Sequence, residues 1–151
     1  MTANFRELLT RAGSTVERPK PLPAGLYEVQ VLDVGKLDKT KGSAENPGGT
    51  ALIMYPVQVL SSIEVDDKEA LAKFGEVRGR KIRAQFFITE DALYRHVDFG
   101  KACKLQGDPN AEQIMQQAKG AVLRALVTQR PSNKPGDDTI YNDISKYFPN
   151  P

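Results

Sequence analysis

The chain has 151 residues, the length of one ordinary domain; 40% are hydrophobic and 26% charged, a balance that excludes intrinsic disorder. Cys103 is the single cysteine and His96 the single histidine, which excludes an intrachain disulfide, a thiolate metal cluster within one chain and a histidine-rich zinc site. The formal net charge of +2 is too small to imply a polyanionic partner by itself, so the placement of the charges carries the information. No apolar run approaches the roughly 20 residues of a membrane helix. The N-terminus carries Asn4, Arg6, Glu7 and Arg11 where a signal peptide would place an apolar core, so a cytoplasmic protein without a membrane partner is expected.

The first dozen residues read as a short amphipathic helix. Asn4 can cap it, Glu7 completes a capping box, and Phe5, Leu8, Leu9 and Ala12 share one face before Gly13. Residues 14–24, with Pro19, Pro21 and Pro23, read as an extended linker. Residues 1–24 are thus expected to form a helix and Pro-rich arm, and 25–148 the folded domain. The first strand spans 25–33, with Tyr27, Val29 and Val31 inward and Glu28 and Gln30 outward. A flexible basic loop is expected over 35–49, where Lys36, Lys39 and Lys41 stand among Gly42, Pro47, Gly48 and Gly49. The second strand covers 50–60, and Pro56, which cannot donate a ladder hydrogen bond, predicts an edge position or a bulge there. Residues 64–75 read as a helical insertion capped by Asp66, with Leu71 and Phe74 apolar and Gly75 as the stop.

The segment 78–88 is the most informative. From Lys81 onward Ile82, Ala84, Phe86 and Ile88 alternate with Lys81, Arg83, Gln85 and Phe87, giving a strand with one apolar face and one basic, aromatic face. Thr89 is expected to cap a helical stretch through about residue 105, with Leu93, Val97 and Ala102 inward and a division at Gly100; His96 and Cys103 lie on it and read as structural. A second helix begins near Asp108 or Asn110, presents Ile114, Met115 and Ala118, and stops at Gly120. The fourth strand, 121–129, turns Leu123, Ala125 and Val127 inward and Val122, Arg124 and Thr128 outward. A loop over 130–138 carries Arg130 and Lys134, and 139–147 gives a last strand or extended arm.

Strand, loop, strand, insertion, strand, helices, strand, loop, strand is the order of the five-stranded OB-fold barrel, with helices between strands three and four. A mainly β protein with helices is therefore expected. In such a barrel a ligand crosses strands two and three between the loops that join strands one to two and four to five, and here both loops carry cations.

The pieces Pro23-Ala-Gly-Leu-Tyr27, Lys39-Thr-Lys-Gly42, Tyr55-Pro-Val-Gln-Val59, Gly79-Arg-Lys-Ile82 and Tyr141-Asn-Asp-Ile144, taken in order over residues 20–148, resemble bacteriophage single-stranded-DNA-binding proteins long grouped as phage proteins of unknown function. The resemblance implies an OB-type barrel that coats transient single strands during phage replication or recombination. Two features depart from the pattern of bacterial single-strand binders: the chain ends Lys146-Tyr-Phe-Pro-Asn-Pro151 without an acidic tip, and the insertion at 64–75 falls near the expected ligand face.

Sequence-tolerant single-strand binding needs cations for phosphates and π faces for bases. Lys39, Lys41, Lys81, Arg83, Arg124, Arg130 and Lys134 are the expected phosphate contacts, with Phe87 and Tyr141 as stacking platforms. Tyr27 and Tyr55 are weaker candidates whose strand phase points to the core, and Arg78 and Arg80 stand at the entrance of their strand. Exposed lysine and arginine are ordinary on any soluble surface, so the cations individually are weak signals. No cofactor or metal is expected. Asp33, Asp98, Asp137 and Asp138 lack the spacing of a nuclease carboxylate set, so no catalytic residue is assigned. Besides single-stranded DNA, a second copy of the chain is an expected partner, in a homo-oligomer such as a dimer through the N-terminal helix or the insertion at 64–75; the alternative is a phage structural or assembly protein in which the N-terminal helix and the Pro-rich arms clasp neighbouring subunits.

Overall fold

A computed structural model describes residues 20–42 and 47–151, together with Leu9. The expected N-terminal helix, most of the arm and the tip of the basic loop lie outside the described residues. Six strands, β1 (Gly25–Val31), β2 (Lys36–Lys39), β3 (Ala51–Val65), β4 (Lys81–Phe87), β5 (Val122–Pro131) and β6 (Ile140–Pro149), form one antiparallel sheet. Its path runs β2-β3-β1-β5-β6, and β4 pairs with β3. Among the described residues three further elements, the helices α1 (Lys68–Phe74), α2 (Leu93–Ala102) and α3 (Ala111–Gln117), complete it. The mainly β expectation holds, but the sheet has six strands rather than five and is open: no ladder joins β4 to β6 among the described residues.

Alternation builds the core. Tyr27, Val29 and Val31 of β1, Ile53, Tyr55, Val57 and Val59 of β3, Ile82, Ala84 and Phe86 of β4, and Leu123, Ala125 and Val127 of β5 are all buried on one face. Phe99 and Ala102 from α2, and Ile114 and Ala118 around α3, join the same cluster. At the open seam side-chain rings stand where a ladder would. Phe86 of β4 lies 5.4 Å from Tyr147 of β6, and Phe99 of α2 lies 4.9 Å from Phe86 and 5.1 Å from Tyr147. Such pairs contribute about 0.5–1.5 kcal/mol each beyond their buried area.

Several expected boundaries shift, each for a tertiary reason. The basic loop contains β2, whose Lys36 to Lys39 pair with Met54 to Ala51. All four of its residues are exposed, as suits a charged edge strand. β3 continues through residues assigned to the insertion, because Gly25 to Glu28 need partners and find them at Val65 to Ser61. The insertion's helix is capped by Asp67, not Asp66: its Oδ1 accepts from the N–H groups of Glu69 and Ala70 at 3.0 and 3.1 Å. Thr89 accepts from Ala92 N–H, but regular helix starts only at Leu93. Its inward residues are His96, Phe99, Gly100 and Ala102, whereas Leu93 and Val97 are half-buried. Gly100 does not divide this helix; it is a contact point, since a Cβ there would stand 2.8 Å from Ile114 Cδ1. Ile88 lies beyond the end of β4 and is exposed.

Pro56 sits in a long internal strand without cost. On one side of β3, β2 pairs through Met54 and β1 begins at Val57, so Pro56 lies where one partner gives way to the other. Its carbonyl accepts from Leu32 N–H at 2.8 Å on that side, which leaves the β3–β4 ladder needing nothing from its missing N–H. The described end of the arm is docked: Leu22 is buried, its N–H donates to Asn142 Oδ1 at 2.8 Å, and its carbonyl accepts from Gln129 and Asn142 amides.

Candidate nucleic-acid interface

The face of the sheet opposite the core is assembled from rows fixed by strand register. Gln30 of β1, Gln58 of β3 and Lys81 of β4 form one row; Pro56 and Arg83 form the next. Lys36 of β2, Met54 and Gln85 follow, and Asp38, Leu52 and Phe87 make the last. At about 3.3 Å per residue, Lys81 and Phe87 lie about 20 Å apart along β4. Gln58 Nε2 donates to Gln30 Oε1 at 3.3 Å, and Gln30 Nε2 to Gly120 O at 3.4 Å, so the amide row is tied to the loop before β5. Lys81 and Arg83 are exposed and their side chains have no hydrogen-bond or ion-pair partner among the described residues. Phe87 is 44% exposed, and beside it Leu52 is only 5% exposed although it lies on the outer face. The surface therefore offers three cations without a partner among the described residues, Lys36, Lys81 and Arg83, against one acid, Asp38, together with amides able to donate and accept and a phenyl ring with one side open.

Other expected contacts stand apart. Lys39 pairs with Ala51 on the Leu37–Ile53 side of the sheet, the side opposite Lys36 and Asp38, and exposed Lys41 follows β2. Arg124 lies on the outer face of β5, between Glu28 of β1 and Phe148 of β6. Its Nε is buried with no hydrogen-bond partner among the described residues. Arg130 and Tyr141 are directly opposed in the β5–β6 hairpin. The guanidinium lies 5.2 Å from the Tyr141 ring centroid, and its Nε donates to Asp143 Oδ2 at 2.7 Å. Asp143 thus offsets the Arg130 charge, while Tyr141 remains 43% exposed. Lys134 is exposed in the loop that joins these strands. The two basic loops lie at opposite ends of β1: its C-terminal end leads toward β2, whereas β5 passes its N-terminal end at Gly25–Val127 before reaching 132–139.

The weaker aromatic candidates are in the core. Tyr27 donates to Pro23 O at 2.7 Å, and Tyr55 Oη lies 2.6 Å from His96 Nε2. Burial raises both phenols above their ordinary value, pushes the Cys103 thiol up to about 12 and lowers His96 to about 4. Tyr27, Tyr55 and His96 stay neutral in the core, and Cys103 is half-buried against it. Arg80 leans over Phe74, its guanidinium carbon 5.8 Å from the ring centroid, away from the row of β4. Among the described residues no three His, Cys, Asp or Glu side chains converge as a metal set, and no helix is long and apolar enough to cross a membrane.

Sequence reasoning overlooked Lys36 as a partner of this face, since a residue read as loop has no strand phase; its place follows only from pairing with Met54. It also overlooked Tyr94, Arg95 and Phe148. On α2, Tyr94, Asp98 and Lys101 recur at helical spacing on the side away from His96 and Phe99, with Arg95 on the flank that also carries Ala102, a signal present in the sequence. Compared with known proteins, the chain matches no family model and no curated protein.

Proposed function

We propose that this protein binds single-stranded DNA with little sequence preference, coating transient single strands during phage replication or recombination, on an OB-type sheet. The observation that carries the reading is the outward row Lys81, Arg83 and Phe87 on β4, beside the Gln30–Gln58 amides. A single strand without sequence readout asks for phosphate contacts and an open aromatic face, and this row supplies both. The fold reading is supported by the sequence order of β1, β3, β4, β5 and β6, with α2 and α3 between β4 and β5, as in a five-stranded OB barrel. In that comparison β2 is an added edge strand, and ring packing takes the place of a β4–β6 ladder. Phosphate contact is assigned foremost to Lys81 and Arg83, then to Lys39, Lys41, Arg124 and Lys134; Arg130 acts with Tyr141 as a paired guanidinium and ring.

The test is a fluorescence titration with single- and double-stranded oligonucleotides of one sequence at two salt concentrations. Tighter binding to the single strand, weakening as salt rises, is the expected result. A regular oligomer indifferent to either nucleic acid would instead favour an assembly role.

A further inference from the structure

The open seam bears a second cluster of cations and rings. β4 pairs only with β3 and β6 only with β5, so each leaves one edge without a ladder among the described residues. Between those edges, with α2 alongside, lies a cleft of about 470 Å³. Gln85 and Phe86 line it from β4, Tyr94, Arg95, Asp98 and Lys101 from α2, and residues 144–149 from β6. Phe86 and Tyr147 form its floor, in contact at 5.4 Å. Its exposed rings are Tyr94, at 57%, and Phe148, at 42%. Arg95, Lys101 and Lys146 supply three cations against one acid, Asp98.

Gln85 connects the cleft to the outer face. It lines the cleft, and it stands in the row with Met54 and Lys36 between Arg83 and Phe87. A chain lying along β4 that turns over its free edge at Gln85 therefore enters the cleft directly. At the far rim Phe148 is paired with Arg124, so the expected contact that stood apart from β4 borders this second surface.

We propose that this cleft is a second subsite for the same DNA single strand: bases lie against Tyr94 and Phe148, and phosphates meet Arg95, Lys101 and Lys146. The inference rests on the single-strand reading of the β4 face and extends its path around the edge of the sheet. The cleft volume suits a small organic group such as a nucleoside, and its cationic excess favours a polyanion. An acidic occupant without bases would leave the exposed rings unused.

The experiment uses the full chain and a polythymidine oligonucleotide of about 15 nucleotides, near the upper end of the roughly 4–16 nucleotides that one such domain covers. A face variant carries Lys81→Glu and Arg83→Glu; a cleft variant carries Tyr94→Ala and Lys146→Glu. All four positions are exposed, and circular dichroism checks that each variant is folded. Both variants are expected to bind more weakly, the cleft variant by roughly five- to a hundredfold for a lost stack and cation. A bromodeoxyuridine oligonucleotide should photo-crosslink to a peptide containing Tyr94 or Phe148. If the face variant loses affinity while the cleft variant binds like the parent and the crosslinks map only to β4, the second subsite is refuted and the β4 reading stands. If the parent protein does not bind the single strand, both fall together.

Discussion

His96 supplies the sharpest stability prediction. It is fully buried among Tyr55, Phe86 and Phe99, with ring centroids 5.7, 5.2 and 6.1 Å away. Its Nε2 lies 2.6 Å from the Tyr55 hydroxyl, and its Nδ1 is buried with no hydrogen-bond partner among the described residues. The neutral ring can satisfy one nitrogen through Tyr55; an imidazolium would need an acceptor for each of two N–H groups and would carry its charge into an apolar cluster. Burial accordingly lowers His96 from its ordinary 6.5 to about 4. The sign follows: between these values the unfolded chain binds a proton that the folded chain refuses, so stability rises with pH through the window and is flat above it. At about 1.4 kcal/mol per pH unit, this interval amounts to about 3 kcal/mol lost on acidification from pH 6.5 to 4. His96→Gln keeps a polar group in reach of the Tyr55 hydroxyl but cannot titrate. Urea unfolding followed by far-ultraviolet circular dichroism, at half-unit steps from pH 4 to 7.5, should show the parent losing about 3 kcal/mol more than the variant over that window. Carboxylates titrate alike in both proteins and cancel in the difference. Parallel curves would mean that the imidazole finds a second acceptor on protonation, refuting the account of a sealed site.

Phe87→Ala should weaken binding to polythymidine by roughly 1–3 kcal/mol for one lost stack, while lowering folding stability only slightly because the ring is 44% exposed. Unchanged binding by a destabilised variant would make Phe87 merely the cover of Leu52. Replacing Lys81 and Arg83 by serine should reduce the salt slope of log affinity by about 1.4, at about 0.7 per phosphate neutralised, and a slope equal to the parent's would remove both residues from the phosphate path. Gly25→Ala should cost on the order of 1–3 kcal/mol in chemical unfolding, since a Cβ there would meet the β3 backbone, 2.6 Å from Glu64 O and 2.7 Å from Val65 Cα; an unaltered midpoint would show that β1 can slide away from Val65. The Cys103 thiol, pushed up to about 12 by burial, should react with a thiol reagent at pH 8 far more slowly in the native than in the urea-unfolded protein, and equal rates would refute its placement.

The parts legible in the sequence were those whose burial is written in local alternation. β4 announces itself because Ile82, Ala84 and Phe86 alternate with charged and polar residues, and the observed pattern follows that phase to Phe87. β1 and β5 do the same, and Asn110 with Gln113 forms the capping box that starts α3. The missed elements depend on a distant partner. Lys36-Leu-Asp-Lys39 has no buried face and becomes a strand only because Ala51–Met54 presents a free edge. Ser61 and Ser62 lie past the expected end of the second strand at residue 60, yet they stay in β3 because β1 pairs with them across two irregularities in register. Closure was the least legible, since whether β4 meets β6 by hydrogen bonds or by rings is decided across all the chain from 88 to 139 that separates them.

The ring cluster links the fold to both proposed surfaces. Tyr55 on β3, Phe86 on β4, His96 and Phe99 on α2 and Tyr147 on β6 touch one another across the seam. With no β4–β6 ladder among the described residues, these contacts help hold α2 and β6 against β4, and so set the width of the cleft and its position relative to Lys81 and Arg83. Side-chain packing tolerates small displacements that a hydrogen-bonded ladder would not, because its energy is spread over many weak contacts. If the proposed single-strand reading holds, the seam is the place where the sheet would adjust to a bound strand without breaking backbone hydrogen bonds. The β3–β4 rows, by contrast, are locked by a ladder from Leu52–Phe87 to Gln58–Lys81.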